Sequence, residues 1–67
     1  MVKPWWSGTV LKRVREKKGL TQSELAEKVG VGRVTITRIE TGARNPSMSL
    51  VLKLAKALKV KVGELLE

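Results

Sequence analysis

The sequence contains no cysteine, no histidine and no aspartate, and all six of its acidic residues are glutamates. Without cysteine there is no disulfide and no thiolate metal site, and without histidine only the glutamates remain as metal ligands. We therefore expect no metal and no cofactor. The glutamates stand singly in helical patterns, with no nucleophile between them. These absences argue against an enzyme.

Long apolar runs are also missing from the sequence. No stretch approaches the roughly 20 apolar residues of a membrane-spanning helix, and the first residues lack the apolar segment of a secretory signal. We expect a soluble, cytoplasmic protein with no membrane partner. The 67 residues form a single domain, 1–67. A chain of this size buries only about 60% of its unfolded surface, so its core must be well packed.

Positive charge is abundant. Fourteen lysines and arginines against six glutamates give a formal net charge of +8 at pH 7. Such a field on a small surface attracts polyanions, which makes nucleic acid the leading class of partner. A charge that only keeps the protein soluble is the alternative that composition leaves open.

The first eight residues show no periodicity and are predicted to form an N-terminal arm, residues 1–8. The arm carries two adjacent tryptophans, Trp5 and Trp6. In the interpretation we favour, one ring covers the exposed end of the core, because aromatic side chains bury large apolar surfaces. The alternative is a contact with a second subunit or a ligand.

From residue 9 onward, apolar residues at helical spacing predict an all-α fold, a compact bundle of five short helices. The second helix begins at a well-marked point, because Thr21 and Glu24 have the spacing of a capping box. Gly30 and Gly42 stand where helices two and three should end. The predicted helices span residues 9–19, 21–30, 33–41, 47–59 and 63–67.

Residues 21–41 are predicted to form a helix-turn-helix unit. Its turn contains Gly30 and Gly32, and the two helices can cross closely because Ala26 is small. Ile36 and Ile39 then fill the wedge between them. The second helix of such a unit projects as a rod that fits the major groove of B-DNA.

On these residues the chain resembles the repressor and Cro-like helix-turn-helix family, the phage and bacterial transcriptional regulators of the lambda-repressor and XRE type. The resemblance covers residues 10–66 and implies a lambda-repressor-like fold with the helix-turn-helix at helices two and three. The matches at fixed spacing are Leu11, Arg15, Gly19 to Gln22, Leu25, Ala26, Arg38 to Glu40, Gly42, Arg44, Pro46, Leu54, Ala55 and Leu58.

The resemblance implies residues that contact DNA. The expected base contacts are Arg33, Val34, Thr37 and Arg38. An arginine can bind guanine O6 and N7 together, and a valine can pack on a thymine methyl group. The expected phosphate contacts are Thr21, Gln22, Thr35, Arg44 and Asn45. The resemblance also implies that Gln22 braces a side chain of the recognition helix. For each base contact the alternative is a solvated basic face of the helix, and Thr35 and Thr37 fit a phosphate contact or a solvent-facing position better than base reading.

Two positions depart from the family pattern. Gly32 stands where a serine or threonine usually caps the recognition helix, which weakens the cap by a few tenths of a kcal/mol. Val34 stands at a position that is often polar. The bases that this chain reads therefore cannot be copied from any relative.

Scaffold and assembly roles follow from the same resemblance. Arg15 and Glu40 resemble a structural ion pair that ties helix one to the end of helix three. A homodimer is expected, through a C-terminal surface made of Val60, Val62, Leu65 and Leu66, because two adjacent leucines in a short last helix should not both be buried.

The function implied is that of a sequence-specific, double-stranded DNA-binding transcriptional regulator associated with the nucleoid. We expect a repressor that acts as a homodimer on a near-palindromic operator. No small-molecule effector is expected, since little chain lies outside the domain. The alternative is an antitoxin or a coactivator-like adaptor that uses the same fold to bind protein.

Overall fold

The computed structural model of the chain describes residues 5–66, which form four α-helices and one 3₁₀ turn. The helices are α1 (Gly8–Lys17), α2 (Gln22–Val29), α3 (Arg33–Thr41) and α4 (Met48–Leu58), and the 3₁₀ turn is Val62–Glu64. The all-α prediction is confirmed for these residues. Residues 1–4 of the predicted arm and residue 67 lie outside the described part of the chain.

The predicted fifth helix is wrong. α4 ends at Leu58, and Lys59 follows it in a left-handed conformation with φ of 58°. Of the described residues beyond Lys59, the three residues Val62–Glu64 form a 3₁₀ turn. Leu66 then pairs with Trp6 in an isolated antiparallel bridge. No α-helix follows Leu58 in the described part of the chain, so residues 5–66 form four α-helices and not five.

The chain marks both ends of α2 clearly. The Thr21 hydroxyl accepts from the Glu24 amide at 3.0 Å, and the Glu24 carboxylate accepts from the Thr21 amide at 2.9 Å. At the other end Gly30 has a φ of 75°, a left-handed conformation that glycine adopts without strain. The helix begins and ends where the sequence predicts.

Apolar side chains from all four helices fill one core. α2 packs against both α3 and α4, and α1 packs against α3. α2 thus contacts both α3 and α4, and the side of α3 that carries Arg33, Val34 and Arg38 is exposed. The buried core residues are Trp6, Leu11, Leu25, Ala26, Val29, Ile36, Ile39, Val51, Leu54, Ala55, Leu58 and Leu65.

Trp6 closes one end of this core. Its side chain is 2% exposed, and its ring nitrogen Nε1 donates to the Ile39 carbonyl at 3.2 Å. The favoured interpretation of the tryptophans is thus confirmed for Trp6. Trp5 is half-buried and packs against the same core.

The start of α1 lies against the end of α3. A Cβ atom at Gly8 would overlap the backbone carbonyl oxygens of Glu40 and Ile39. Only glycine permits so close an approach of the two helices at this point.

The structure corrects one residue of the predicted dimer surface. Leu65 has no exposed surface, since its side chain lies in the core of its own chain. It cannot contribute to an interface as predicted. Val60, Val62 and Leu66 are half-buried and pack at the edge of the core.

Candidate nucleic-acid interface

The uncovered side of α3 carries the residues predicted to contact bases. Arg33, Val34 and Arg38 are exposed and Thr37 is half-buried. At about 100° per residue, these four positions fall within an arc of about 140°. The inward side of the same helix holds the buried Ile36 and Ile39. The predicted base contacts thus share one face of the helix.

The Gly30–Gly32 turn allows this face to project. Gly30 reverses the chain in a left-handed conformation, and Gly32 precedes α3 in an extended one with φ of −76°. No side chain caps α3 at Gly32. The Thr35 amide donates to the Gly32 carbonyl at 3.1 Å, whereas the amides of Arg33 and Val34 precede the first hydrogen bond of the helix, as is usual at a helix N-terminus.

Val34 is the most exposed large apolar residue among those described, with 57% of its surface accessible. It lies between Arg33 and Arg38 on the exposed face of α3 and does not pack against the hydrophobic core. Such a position suits contact with a thymine methyl group in the major groove.

Four side chains form a hydrogen-bonded chain, which we call the relay: Arg15, Glu40, Gln22 and Thr37. Arg15 Nε donates to Glu40 Oε2 at 2.6 Å, and Gln22 Nε2 donates to Glu40 Oε1 at 3.0 Å. The Thr37 hydroxyl donates to Gln22 Oε1 at 2.9 Å. The relay links α1 to the exposed face of α3 through the first residue of α2.

The ion pair at the inner end of the relay is buried. Arg15 Nη2 also donates to Glu40 Oε1 at 3.2 Å, and Arg15 Nη1 donates to the Leu20 carbonyl at 2.6 Å. Hydrogen bonding to the Glu40 carboxylate raises the pKa of Arg15 above its ordinary value, although burial opposes this change. Within residues 5–66 no buried side-chain nitrogen or oxygen lacks a partner. The pair is therefore fully satisfied.

The predicted phosphate contacts lie at the start of α2, on α3 and in the loop after α3. Thr21 is exposed at the start of α2, Gln22 and Thr35 are half-buried, and Arg44 is exposed in the loop after α3. The Arg44 amide donates to the Arg38 carbonyl at 3.2 Å, which holds that loop against α3. Asn45 follows in the same loop and is half-buried.

Two features of the site could not be read from the sequence. One is the identity of the side chains that Gln22 braces: the resemblance implies a brace to the recognition helix, and the structure shows that the partners on that helix are Thr37 and Glu40. The other is a pair of exposed apolar residues on α4, Met48 at 46% and Leu52 at 52% exposure. Their spacing of four residues signals one helix face, but that signal is equally typical of a core stripe.

The described part of the chain contains neither a metal-binding group nor a membrane-spanning helix. Residues 5–66 bring no three acidic, histidine or cysteine side chains together as a metal-binding group. Among the same residues, no helix has the length and apolarity needed to cross a membrane.

Comparison with known sequences identifies relatives along most of the chain. A family profile described as helix-turn-helix matches residues 11–65. An HTH-type transcriptional regulator of Archaeoglobus fulgidus is 44% identical over 57 residues, which cover 85% of this chain and 81% of that protein. The antitoxin HipB of Escherichia coli O6:H1 is 34% identical over 59 residues, covering 88% of this chain and 63% of HipB.

Solved structures share the fold closely. The restriction-modification controller protein C.AhdI from Aeromonas hydrophila superposes with a TM-score of 0.84 and 41% identity, over 87% of this chain and 88% of that one. The P22 c2 repressor in complex with a synthetic operator also gives a TM-score of 0.84, with 31% identity over 92% of this chain and 94% of the repressor.

Proposed function

The chain belongs to the helix-turn-helix family of Cro/C1-type DNA-binding transcriptional regulators, and we propose that it represses transcription by occupying a specific duplex site. The observation that carries this proposal is the exposure of Arg33, Val34 and Arg38 on one face of α3. A face of this kind fits the major groove, where sequence is read from base edges. Occupancy of a promoter requires no catalytic step.

In the proposed complex, charge attracts the domain and α3 selects the site. Arg33 and Arg38 each bind a guanine, and Val34 contacts a thymine methyl group. Phosphate contacts fix the domain on the backbone without reading sequence. The phosphate contacts are Thr21, Gln22, Thr35, Arg44 and Asn45.

We further propose that the protein acts as a homodimer on a near-palindromic operator, in the cytoplasm and on the nucleoid. Two copies related by a twofold axis would place their α3 helices about one helical turn, roughly 34–36 Å, apart. Val60, Val62 and Leu66 support a C-terminal interface, because they are apolar and only partly covered.

A second function has support from one relative. HipB is an antitoxin, so an antitoxin or adaptor role remains the alternative. The α3 face favours DNA as the partner, since a module that binds only protein has no reason to expose Arg33, Val34 and Arg38 together on one helix face. This chain also covers only 63% of HipB.

Selection of bound duplexes from a random library, repeated at two salt concentrations, tests the proposal. An inverted repeat recovered at both concentrations supports a dimeric repressor. No enrichment, together with binding that disappears at the higher salt concentration, would instead indicate nonspecific attraction or a protein-directed role.

A further inference from the structure

The buried ion pair at one end of the relay determines which groups donate and which accept along the whole relay. The Arg15 guanidinium can only donate hydrogen bonds, and the Glu40 carboxylate can only accept them. The side-chain amide of Gln22 meets Glu40 Oε1 at 3.0 Å. Because Glu40 Oε1 only accepts, the amide must present its nitrogen, Nε2, to the carboxylate and not its oxygen. The opposite amide orientation would place two acceptors against each other.

This orientation aims the Gln22 amide oxygen at α3. Gln22 Oε1 lies 2.9 Å from the Thr37 hydroxyl, and an amide oxygen can only accept. Among residues 5–66, the other acceptor within hydrogen-bond distance of this hydroxyl is the Arg33 carbonyl, at 3.2 Å. A hydroxyl has a single proton, so either bond leaves Thr37 with none to donate outward.

We propose that Thr37 reads DNA only as a hydrogen-bond acceptor and that it selects an exocyclic amino group, adenine N6 or cytosine N4, in the major groove. These two groups are the major-groove donors of the four bases. A hydroxyl without a free proton cannot bind the carbonyl oxygens of guanine or thymine, and it cannot donate to a phosphate. The inference rests on the proposed function and specifies which bases Thr37 recognises, namely those with an amino group in the major groove.

The test removes one hydrogen-bonding group at a time from the DNA and from the protein. Each adenine of the selected duplex is replaced in turn by purine, which lacks the N6 amine, and each cytosine by 2-pyrimidinone, which lacks the N4 amine. Dissociation constants are measured for the wild type and for Thr37→Val, which removes the hydroxyl but keeps the branched shape. At one position the amine deletion should weaken wild-type binding about threefold to tenfold, as expected for one hydrogen bond, and leave Thr37→Val binding unchanged.

Matched controls come from the same helix. Thr41 is exposed at the end of α3, and its hydroxyl donates to the Arg38 carbonyl at 3.2 Å. Thr41→Val should respond to every amine deletion as the wild type does. Thr37→Ser keeps the hydroxyl and should keep the wild-type penalty. Circular dichroism confirms that each variant is folded.

The outcomes separate this inference from the proposed function. A selected motif whose amine deletions affect wild type and Thr37→Val equally overturns the acceptor role and leaves the repressor proposal standing. A Thr37-dependent penalty on removal of a carbonyl oxygen, for example 2-aminopurine in place of guanine, overturns it as well. If the library yields no motif, both proposals fail together.

Discussion

Glu40 is the residue on which the scaffold most depends. Its carboxylate accepts from Arg15 and from Gln22, and the residue is only 8% exposed. The family pattern in the sequence indicated the pairing with Arg15. The resemblance implied that Gln22 braces the recognition helix, but not that Glu40 is one of its partners, because that choice depends on how α2 packs against α3.

Glu40→Ala should destabilise the fold strongly. The change leaves the Arg15 guanidinium buried without its carboxylate, at a cost of about 3–5 kcal/mol. For a domain of this size the melting temperature should fall by more than about 10 °C. Glu27→Ala, on the exposed side of α2, is the control and should stay close to the wild type. An unchanged melting curve for Glu40→Ala would contradict a structural role for the pair.

Gly8→Ala tests the close approach of α1 to α3. The added Cβ meets two backbone carbonyl oxygens that cannot move independently of α3. We expect a loss of about 1–3 kcal/mol in the free energy of unfolding, the usual cost of overpacking. Gly63→Ala, where a Cβ would meet no atom within 4 Å, should change stability little. Chemical denaturation measures both, and equal stabilities would show that α1 can shift freely.

At the scale of single elements, local signals determined most helix boundaries. Thr21 with Glu24, Ser47, Gly30 and Gly42 mark ends through capping and left-handed geometry, so α2, α3 and α4 lie within a residue or two of their predicted ranges. The prediction of a fifth helix was wrong because the conformation near Leu66 depends on its contact with Trp6, which is distant in the sequence. Trp6 pairs with Leu66 across the whole sequence, and periodicity carries no such information.

The capping box of α2 predicts a dependence of stability on acid. The amide and hydroxyl of Thr21 lower the pKa of Glu24 below its ordinary value of 4.5. A lowered pKa in the folded state means that Glu24 stabilises the fold above pH 4.5 and loses this contribution as the pH falls further. Glu24→Gln should therefore lose less stability than the wild type on acidification below that value. Thermal melts across this range measure the difference.

Glu27→Gln is the matched control for this pH series, as it removes one exposed carboxylate from the same helix. It should keep the acid dependence of the wild type. Identical slopes for Glu24→Gln and the wild type would show that the capping box contributes nothing to the acid response.

At the scale of the whole molecule, two groups of positively charged side chains lie in separate places. Arg33 and Arg38 lie on the α3 face, whereas Lys28, Lys53 and Lys56 border a groove of about 550 Å³ between α2 and α4. No predicted base contact lines that groove. The net charge was evident from composition, but the separate placement of these groups was not, because it depends on how the helices pack. We expect these lysines to add attraction at long range without adding specificity.

Assembly is the second property that belongs to the whole molecule. The half-buried Leu66 supports a C-terminal interface, whereas the exposed Leu52 on α4 offers a different apolar surface. Sedimentation equilibrium should find a wild-type dimer that Leu66→Lys weakens and Leu52→Lys does not, because a buried lysine at the interface loses its hydration. A wild-type monomer at high concentration would exclude the homodimer, and the reverse pattern would move the interface to α4.

The most direct test of the role of α3 is to measure how well variants of the protein distinguish the selected duplex from a scrambled one. Two double variants each remove two positive charges: Arg33→Ala with Arg38→Ala on the α3 face, and Lys53→Ala with Lys56→Ala beside the groove. Dissociation constants for the selected duplex and for a scrambled duplex, at matched salt, give a specificity ratio for each protein. The ratio should collapse for the arginine pair, by about 1–3 kcal/mol per lost bidentate contact, and stay at the wild-type value for the lysine pair. Equal ratios for the two variants would contradict sequence reading by α3.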